Sequence, residues 1–169
     1  MRLVGTAALA ALLLPLHALA QDPNGCAKFA WSLASERASF AAPNKPIVIV
    51  GGTVSSVPSL PVEVRLKAAG EATFVLPPER KPRVDSWFGG TIMVPALPRG
   101  GIWQVTLSEE AWLDIVQDGR YARSVGSTGR GDCPGVRKSV RLDLAPGPLA
   151  LQLSGVATPT VVVALRPVE

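Results

Sequence analysis

The sequence predicts a mainly β fold: a single antiparallel β-sandwich, jelly-roll-like, with a short N-terminal helix or arm. Several short stretches alternate apolar and polar residues, as strands do when one face is buried and the other is solvated. Turns rich in glycine and proline separate these stretches. Many short strands punctuated by such turns are typical of β-sandwiches and jelly rolls.

The first predicted element is a short amphipathic helix over residues 27–39. Leu33, Arg37 and Phe40 follow one another at spacings of four and three, which is the period of one helix face. Trp31 interrupts that face, so an irregular arm with a strand-like start is the alternative.

Nine short strands are predicted after this segment. The strictest alternation lies in residues 62–67, 139–144 and 149–154, where every second residue is a large apolar one. The other predicted strands are residues 47–50, 72–76, 91–94, 102–107, 112–116 and 160–165. Turns are expected at Gly51-Gly52, Pro77-Pro78, Gly89-Gly90, Arg99-Gly100-Gly101, Asp118-Gly119, Pro146-Gly147-Pro148 and Thr158-Pro159.

The N-terminal segment has the composition of a secretory signal peptide. Arg2 precedes an apolar run over residues 7–14, and the small residues Ala18 and Ala20 precede the expected cleavage site after Ala20. The run is too short to span a bilayer comfortably, so we expect a periplasmic or secreted protein without a membrane span. The predicted organisation is a signal peptide at 1–20, a helix or arm at 21–45 and a β-sandwich domain at 46–169.

Charge and histidine content exclude several classes of function. The chain has 17 basic and 13 acidic residues without a long run of like charges, so nucleic acid is not an expected partner. The only histidine, His17, lies in the predicted signal peptide. The remaining chain therefore lacks an imidazole base and the usual nitrogen ligand of transition metals. We expect no metal, no cofactor and no catalytic residue.

Cys26 and Cys133 are the only cysteines. An even number of cysteines in an exported protein indicates a disulfide, and a bridge closing so long a loop is worth up to roughly 4 to 5 kcal/mol in the chain-entropy model, less any strain. The bridge would anchor a glycine-rich segment that contains Arg130-Gly131-Asp132, an adhesion-type tripeptide. Without an exposed, projecting tip this short motif is weak evidence for recognition, so we interpret it as a turn.

The predicted ligand-binding surface is a proline-rich segment, residues 77–90. It combines cationic side chains with two aromatic ones that could stack on a sugar ring or flank an acidic polymer. The alternative is that the aromatic rings cap the core while the charges keep the loop solvated. The predicted binding residues are Arg80, Lys81, Arg83, Trp87 and Phe88. The remaining tryptophans, Trp31, Trp103 and Trp112, are expected in the core or against the helix.

An acidic segment over residues 108–119 offers a second, catalytic interpretation. Glu110, Asp114 and Asp118 could serve a hydrolase that uses carboxylates alone, which is the chemistry left to a chain without histidine. Their spacing is not diagnostic, and the segment also fits a polar turn, a strand and a hairpin turn.

Four segments resemble a family of small secreted bacterial proteins of unknown function. They are CAKFAWSLASERA, FVLPPERKPRVDSWFGG, GIWQVTLSEEAWLDIVQDG and GDCPGVRKSVRLDL, at residues 26–38, 74–90, 101–119 and 131–144. Members of that family often carry the label homogentisate 1,2-dioxygenase. Such dioxygenases hold iron with two histidines and a carboxylate in a much longer chain. The resemblance therefore implies export and a β-sandwich, but it transfers no iron ligand and no dioxygenase activity.

These observations favour a non-enzymatic binding or interaction module of the bacterial cell envelope. Its expected ligand is a saccharide, an acidic polymer or an envelope protein. Two alternatives remain open: a small exported hydrolase that depends on carboxylates, and a structural accessory protein that binds another chain through an exposed strand edge.

Overall fold

The computed structural model describes residues 25–54 and 61–168, and it confirms a mainly β sandwich with one helix. The predicted signal peptide and its cleavage site lie outside the described residues. A 3-10 helix spans Cys26–Lys28 and one α-helix, α1, spans Ala34–Ala41. The strands of the described residues are β1 (Ile47–Ile49), β2 (Val62–Arg65), β3 (Lys67–Ala68), β4 (Phe88–Leu97), β5 (Gly101–Leu107), β6 (Trp112–Gln117), β7 (Arg120–Tyr121), β8 (Ser124–Gly129), β9 (Lys138–Leu144), β10 (Gly147–Val156) and β11 (Thr160–Pro167).

Two sheets form the sandwich. The six-stranded sheet has the order β1-β2-β11-β5-β9-β8, and the five-stranded sheet has the order β3-β4-β10-β6-β7. Neighbouring strands are antiparallel except for β1 and β2, which run parallel. No helix among the described residues is long and apolar enough to cross a bilayer.

The core lies between the two sheets and follows from the alternation of the sequence. On β5, Trp103, Val105 and Leu107 belong to the main apolar cluster, whereas Gln104 and Thr106 do not. Since side chains alternate across a strand, these two polar residues belong to the outer face of the six-stranded sheet.

The N-terminal segment covers that outer face. Glu36 on α1 is 3% exposed, and its Oε1 accepts hydrogen bonds from Gln104 Nε2 and Arg166 Nε. The Cys26–Cys133 disulfide is formed, as predicted. A second, smaller apolar cluster surrounds it, with Cys26, Phe29, Leu33, Phe40, Cys133, Val136 and Ala164 as its buried members.

The predicted helix over residues 27–39 is wrong in its extent, because α1 begins only at Ala34. The stretch between the two helices bonds to the six-stranded sheet through one backbone group and one side chain. Ala30 N donates to Thr128 Oγ1 at 3.0 Å, and Trp31 Nε1 donates to Ser139 Oγ at 3.3 Å. The irregular-arm alternative therefore describes this stretch.

The predicted strand over residues 72–76 is also wrong. This segment lies in the connection between β3 and β4, and the Gln152 side chain bonds to its end at residues 75 and 76. Val75 N and Leu76 N both donate to Gln152 Oε1, at 2.6 and 3.1 Å. Gln152 Nε2 donates back to Leu76 O at 3.0 Å. The apolar residues of this segment thus belong to a loop that is hydrogen-bonded to the sheet, with Ala72, Phe74 and Leu76 half-buried and Val75 exposed.

Gly89-Gly90 is not a turn but part of β4, again contrary to the prediction. The two glycines are required by close packing. A Cβ on Gly90 would lie 2.8 Å from Val50 Cβ, and the residue has a φ of +141°. A Cβ on Gly89 would meet the backbone oxygen of Leu153. Because glycine has no side chain, β4 can approach Val50 and the backbone of β10 closely at these two positions.

The glycine-rich segment before Cys133 contains a strand that the sequence did not predict, β8. Beyond it, Arg130 and Asp132 pair with each other. Arg130 Nε and Nη2 donate to the two carboxylate oxygens of Asp132, both at 3.1 Å. The charged groups of the adhesion-type tripeptide are thus engaged within the turn.

Candidate functional site

The connection between β3 and β4 lies across the outer face of the five-stranded sheet. A row of polar residues holds it there: Thr91, Gln152 and Asp114 are direct cross-strand neighbours on β4, β10 and β6. Thr91 Oγ1 donates to Thr73 O at 2.9 Å, and Glu79 N donates to Asp114 Oδ2 at 3.2 Å. Each strand thus fixes one point of the loop backbone.

A pocket opens one step further along the same face. Ser154 on β10 is the cross-strand partner of Trp112 on β6. Ser154 lies two residues after Gln152, and Trp112 lies two residues before Asp114. The pocket has a volume of about 340 Å³, and we call it the Trp112 pocket. Its lining residues are Arg80, Lys81, Pro82, Arg83, Glu110, Ala111, Trp112, Lys138, Ser154 and Gly155.

Two cations lie against the aromatic ring of the Trp112 pocket. Arg80 Cζ is 4.4 Å from the ring centroid of Trp112, and Lys138 Nζ is 5.5 Å from it. Both distances fall within the range of cation–π attraction. Lys138 Nζ also donates to Ala111 O at 2.7 Å and lies 3.8 Å from Glu110 Oε1. The pocket therefore holds positive charge in defined positions.

Lys138 occupies an environment that disfavours its positive charge. Burial lowers the pKa of the Lys138 ammonium below its usual range, and Arg80 and Arg137 lower it further. The charges of Glu110 and Asp114 oppose this shift. An anion placed beside Lys138 would stabilise the ammonium form and raise its pKa again, because a nearby opposite charge favours the charged state.

Ser154 supplies a polar group without a partner. Its side chain is 1% exposed, and within the described part of the chain its hydroxyl makes no hydrogen bond. Leaving a buried hydroxyl unpaired costs about 1–3 kcal/mol. A polar atom of this kind in a pocket wall is a group that a ligand can satisfy.

Asp114 is 4% exposed, and its carboxylate lies beneath the loop. Burial raises its pKa above the usual range, although hydrogen bonds from Glu79 N and Trp112 Nε1 act in the opposite direction. The Trp112 bond is 2.7 Å long. Glu79 raises the pKa further through its charge, and Lys138 lowers it. Asp114 thus orients Trp112 and anchors the loop.

Asp114→Asn is expected to gain stability relative to the wild type as pH rises. Below about pH 3 the carboxyl is protonated in both the folded and the unfolded chain, so the charge makes no difference. Above the raised folded pKa the wild type buries a charge that the amide lacks. Thermal unfolding of both proteins from about pH 3 to pH 7 measures this. A constant difference in melting temperature would contradict the burial of an ionised carboxylate.

The structure brings three of the predicted binding residues together. Arg80, Lys81 and Arg83 line the Trp112 pocket, whereas Trp87 and Phe88 do not. The Trp87 ring lies 6.3 Å from that of Phe74. Phe88 begins β4 and packs, half-buried, against the main core.

Sequence reasoning missed the aromatic and polar partners of these cations. Trp103 is in the core as expected, but Trp112 is half-buried and forms the pocket. Trp31 is half-buried under Arg141, whose Cζ is 4.2 Å from its ring centroid. The one signal in the sequence was the polar outer face of β6, where Trp112 precedes Asp114 by two residues.

The three acidic residues of the catalytic interpretation have separate surroundings. Glu110 pairs with Arg137 at 3.1 Å and precedes β6, whereas Asp118 follows the end of that strand. Asp118 has a φ of +50° and Gly119 one of +70°, which confirms the hairpin turn between β6 and β7. Within residues 25–54 and 61–168, no three acidic or cysteine side chains are grouped so that they could hold a metal.

Comparisons with protein-family models, with curated proteins and with solved structures find no match to this chain. The site must therefore be interpreted from its own geometry.

Proposed function

We propose that this protein is an exported, non-enzymatic binding module of the bacterial cell envelope, and that the Trp112 pocket binds an anionic ligand. One observation carries the proposal: four cationic side chains line a single pocket that holds one carboxylate of its own, that of Glu110. The four cations are Arg80, Lys81, Arg83 and Lys138. Clustered charge of one sign in a concave surface attracts ligands of the opposite sign.

The support beneath the pocket favours binding without large rearrangement. Gln152 and Asp114 fix the loop backbone at residues 75, 76 and 79, just before Arg80. Prolines at 77, 78 and 82 restrict the loop further, because each fixes its own φ. A pre-ordered loop loses less conformational freedom when a ligand binds.

Export is the second part of the proposal. The Cys26–Cys133 disulfide is typical of proteins in an oxidising compartment. The predicted signal peptide and the resemblance to small secreted bacterial proteins are consistent with that compartment. Intact-mass measurement after expression with the full N-terminus tests this part, since cleavage after Ala20 would remove residues 1–20.

Arg80→Ala with Arg83→Ala is expected to weaken the binding of an acidic polymer about tenfold or more, because two charges at the pocket are lost. Binding of polygalacturonate and of polyglutamate, followed by calorimetry at low and physiological salt, measures this. Binding by the wild type should weaken as salt screens the charges.

The matched control is Arg99→Ala with Arg120→Ala. It removes the same charge from exposed positions at the opposite end of the sandwich, in the turn between β4 and β5 and at the start of β7. Equal losses in the two double variants would mean that net charge, and not the Trp112 pocket, attracts the polymer.

A further inference from the structure

We propose that the unit held in the Trp112 pocket is a sugar acid, a hydroxylated ring that carries one carboxylate. This inference rests on the proposed function, that the pocket binds an anionic ligand, and it names the chemical class of that ligand.

The volume of the pocket exceeds what an isolated carboxylate needs. A water molecule occupies about 30 Å³ in the liquid, so 340 Å³ is room for a ring-sized group. The value lies at the lower end of small-molecule sites, which span about 300–1,000 Å³. One monosaccharide unit fits such a space, and because the pocket is open to solvent the rest of a polymer can continue outside it.

The cations define where the carboxylate binds. Lys138 Nζ already has one carboxylate oxygen, that of Glu110, at 3.8 Å, which is longer than a hydrogen bond. The Arg80 guanidinium rests on the Trp112 ring, and it can form two parallel bonds to a carboxylate. A ligand carboxylate between Arg80 and Lys138 would form an ion pair with both side chains.

The remaining polar groups favour a hydroxylated ligand over an acidic peptide. Glu110 Oε2 pairs with Arg137 at 3.1 Å, whereas its Oε1 lies 3.8 Å from Lys138 Nζ and can still accept a hydrogen bond. A sugar hydroxyl supplies that donor, and an ionised Asp or Glu side chain does not. The Ser154 hydroxyl can donate to or accept from a sugar hydroxyl. Mixed donors and acceptors beside an aromatic ring suit a sugar acid.

Ser154 lies in the wall of the pocket that the loop before β4 borders, and it is 1% exposed, so a ligand reaches its hydroxyl only when a neighbouring side chain moves. Arg80 belongs to that loop and rests on Trp112, the cross-strand partner of Ser154. An incoming carboxylate attracts the Arg80 guanidinium away from the ring. Binding thus pairs a hydroxyl that is unpaired in the free protein.

The test uses Ser154→Ala in the full chain, with an oligogalacturonate of defined length as the probe. The variant is expected to bind about tenfold more weakly, which is the loss of one hydrogen bond to a polar ligand. It should also melt at a slightly higher temperature, because it no longer buries an unpaired hydroxyl. Lower affinity together with higher stability separates a ligand contact from damage to the fold.

Ser32→Ala is the matched control, since Ser32 is exposed on the arm over the other sheet and should leave binding unchanged. The methyl-esterified oligogalacturonate, which keeps the hydroxyls and loses the charge, should bind far more weakly than the acid.

Three results would overturn the inference. Polyglutamate binding that depends on Arg80 and Arg83, with no binding of oligogalacturonate, would replace the sugar acid by an acidic peptide and leave the proposed function standing. Undiminished oligogalacturonate binding by Ser154→Ala would remove Ser154 from the site, and with it the buried hydroxyl on which the assignment of a hydroxylated ligand to this pocket rests. Binding of neither probe by the wild type would overturn both the inference and the proposed function.

Discussion

Cys26→Ala with Cys133→Ala is expected to lower the free energy of unfolding by about 4 kcal/mol. The two cysteines are 107 residues apart, so the bridge removes a large part of the freedom of the unfolded chain. It also joins the N-terminal arm to the segment before β9 and lies within the smaller apolar cluster. Equilibrium unfolding in guanidinium chloride measures the loss.

The wild type treated with a reductant is the control, because it removes the bridge without changing a side chain. Its unfolding should approach that of the double variant, which itself should be insensitive to reductant. A loss below about 1 kcal/mol in both would show that packing of the arm, and not the covalent link, stabilises this part of the protein.

Gln152→Leu is expected to lower the free energy of unfolding by about 2–3 kcal/mol and to weaken anion binding as well. The side chain is 1% exposed and makes three hydrogen bonds to the backbone of Val75 and Leu76. Leucine fills nearly the same volume but leaves these backbone groups unpaired. The loop that carries Arg80 would then lose its central anchor.

Gln117→Leu is the matched control. Its side chain also bonds to backbone groups, donating to Ala145 O and accepting from Ala145 N, both at 3.0 Å, but at an exposed position near the other end of the sheet. It should cost less stability and leave binding intact. A Gln152→Leu protein that unfolds earlier yet binds anions normally would mean that the loop does not need this anchor.

The sandwich could be predicted because its strands bury one face. Strands β9 and β10 alternate strictly, and residues 139–144 and 149–154 were predicted as strands on that basis. The same rule misassigned residues 72–76, a loop segment in which Ala72, Phe74 and Leu76 are half-buried and Val75 is exposed. It missed β8, where small polar residues provide no buried face. The alternation of apolar residues indicates which side chains are buried, but it does not indicate which backbone groups are hydrogen-bonded in a sheet.

The candidate site could be predicted only in part, for a related reason. Arg80, Lys81 and Arg83 are close in sequence and visible as a cluster of charges. Trp112 and Ser154 meet them only through the register of β6 against β10, two strands that are far apart in the chain. The register depends on every residue of both strands, so no local pattern indicates this pairing.

The most direct test of the binding site uses the tryptophan indole N–H signals in a two-dimensional NMR spectrum. The chain has four tryptophans, and Trp→Phe variants assign each signal. Because Arg80 and Lys138 lie on the ring of Trp112, oligogalacturonate should shift the Trp112 signal and leave those of Trp31 and Trp103 in place. A Trp112 signal that stays fixed while the ligand binds would contradict a site at the Trp112 pocket.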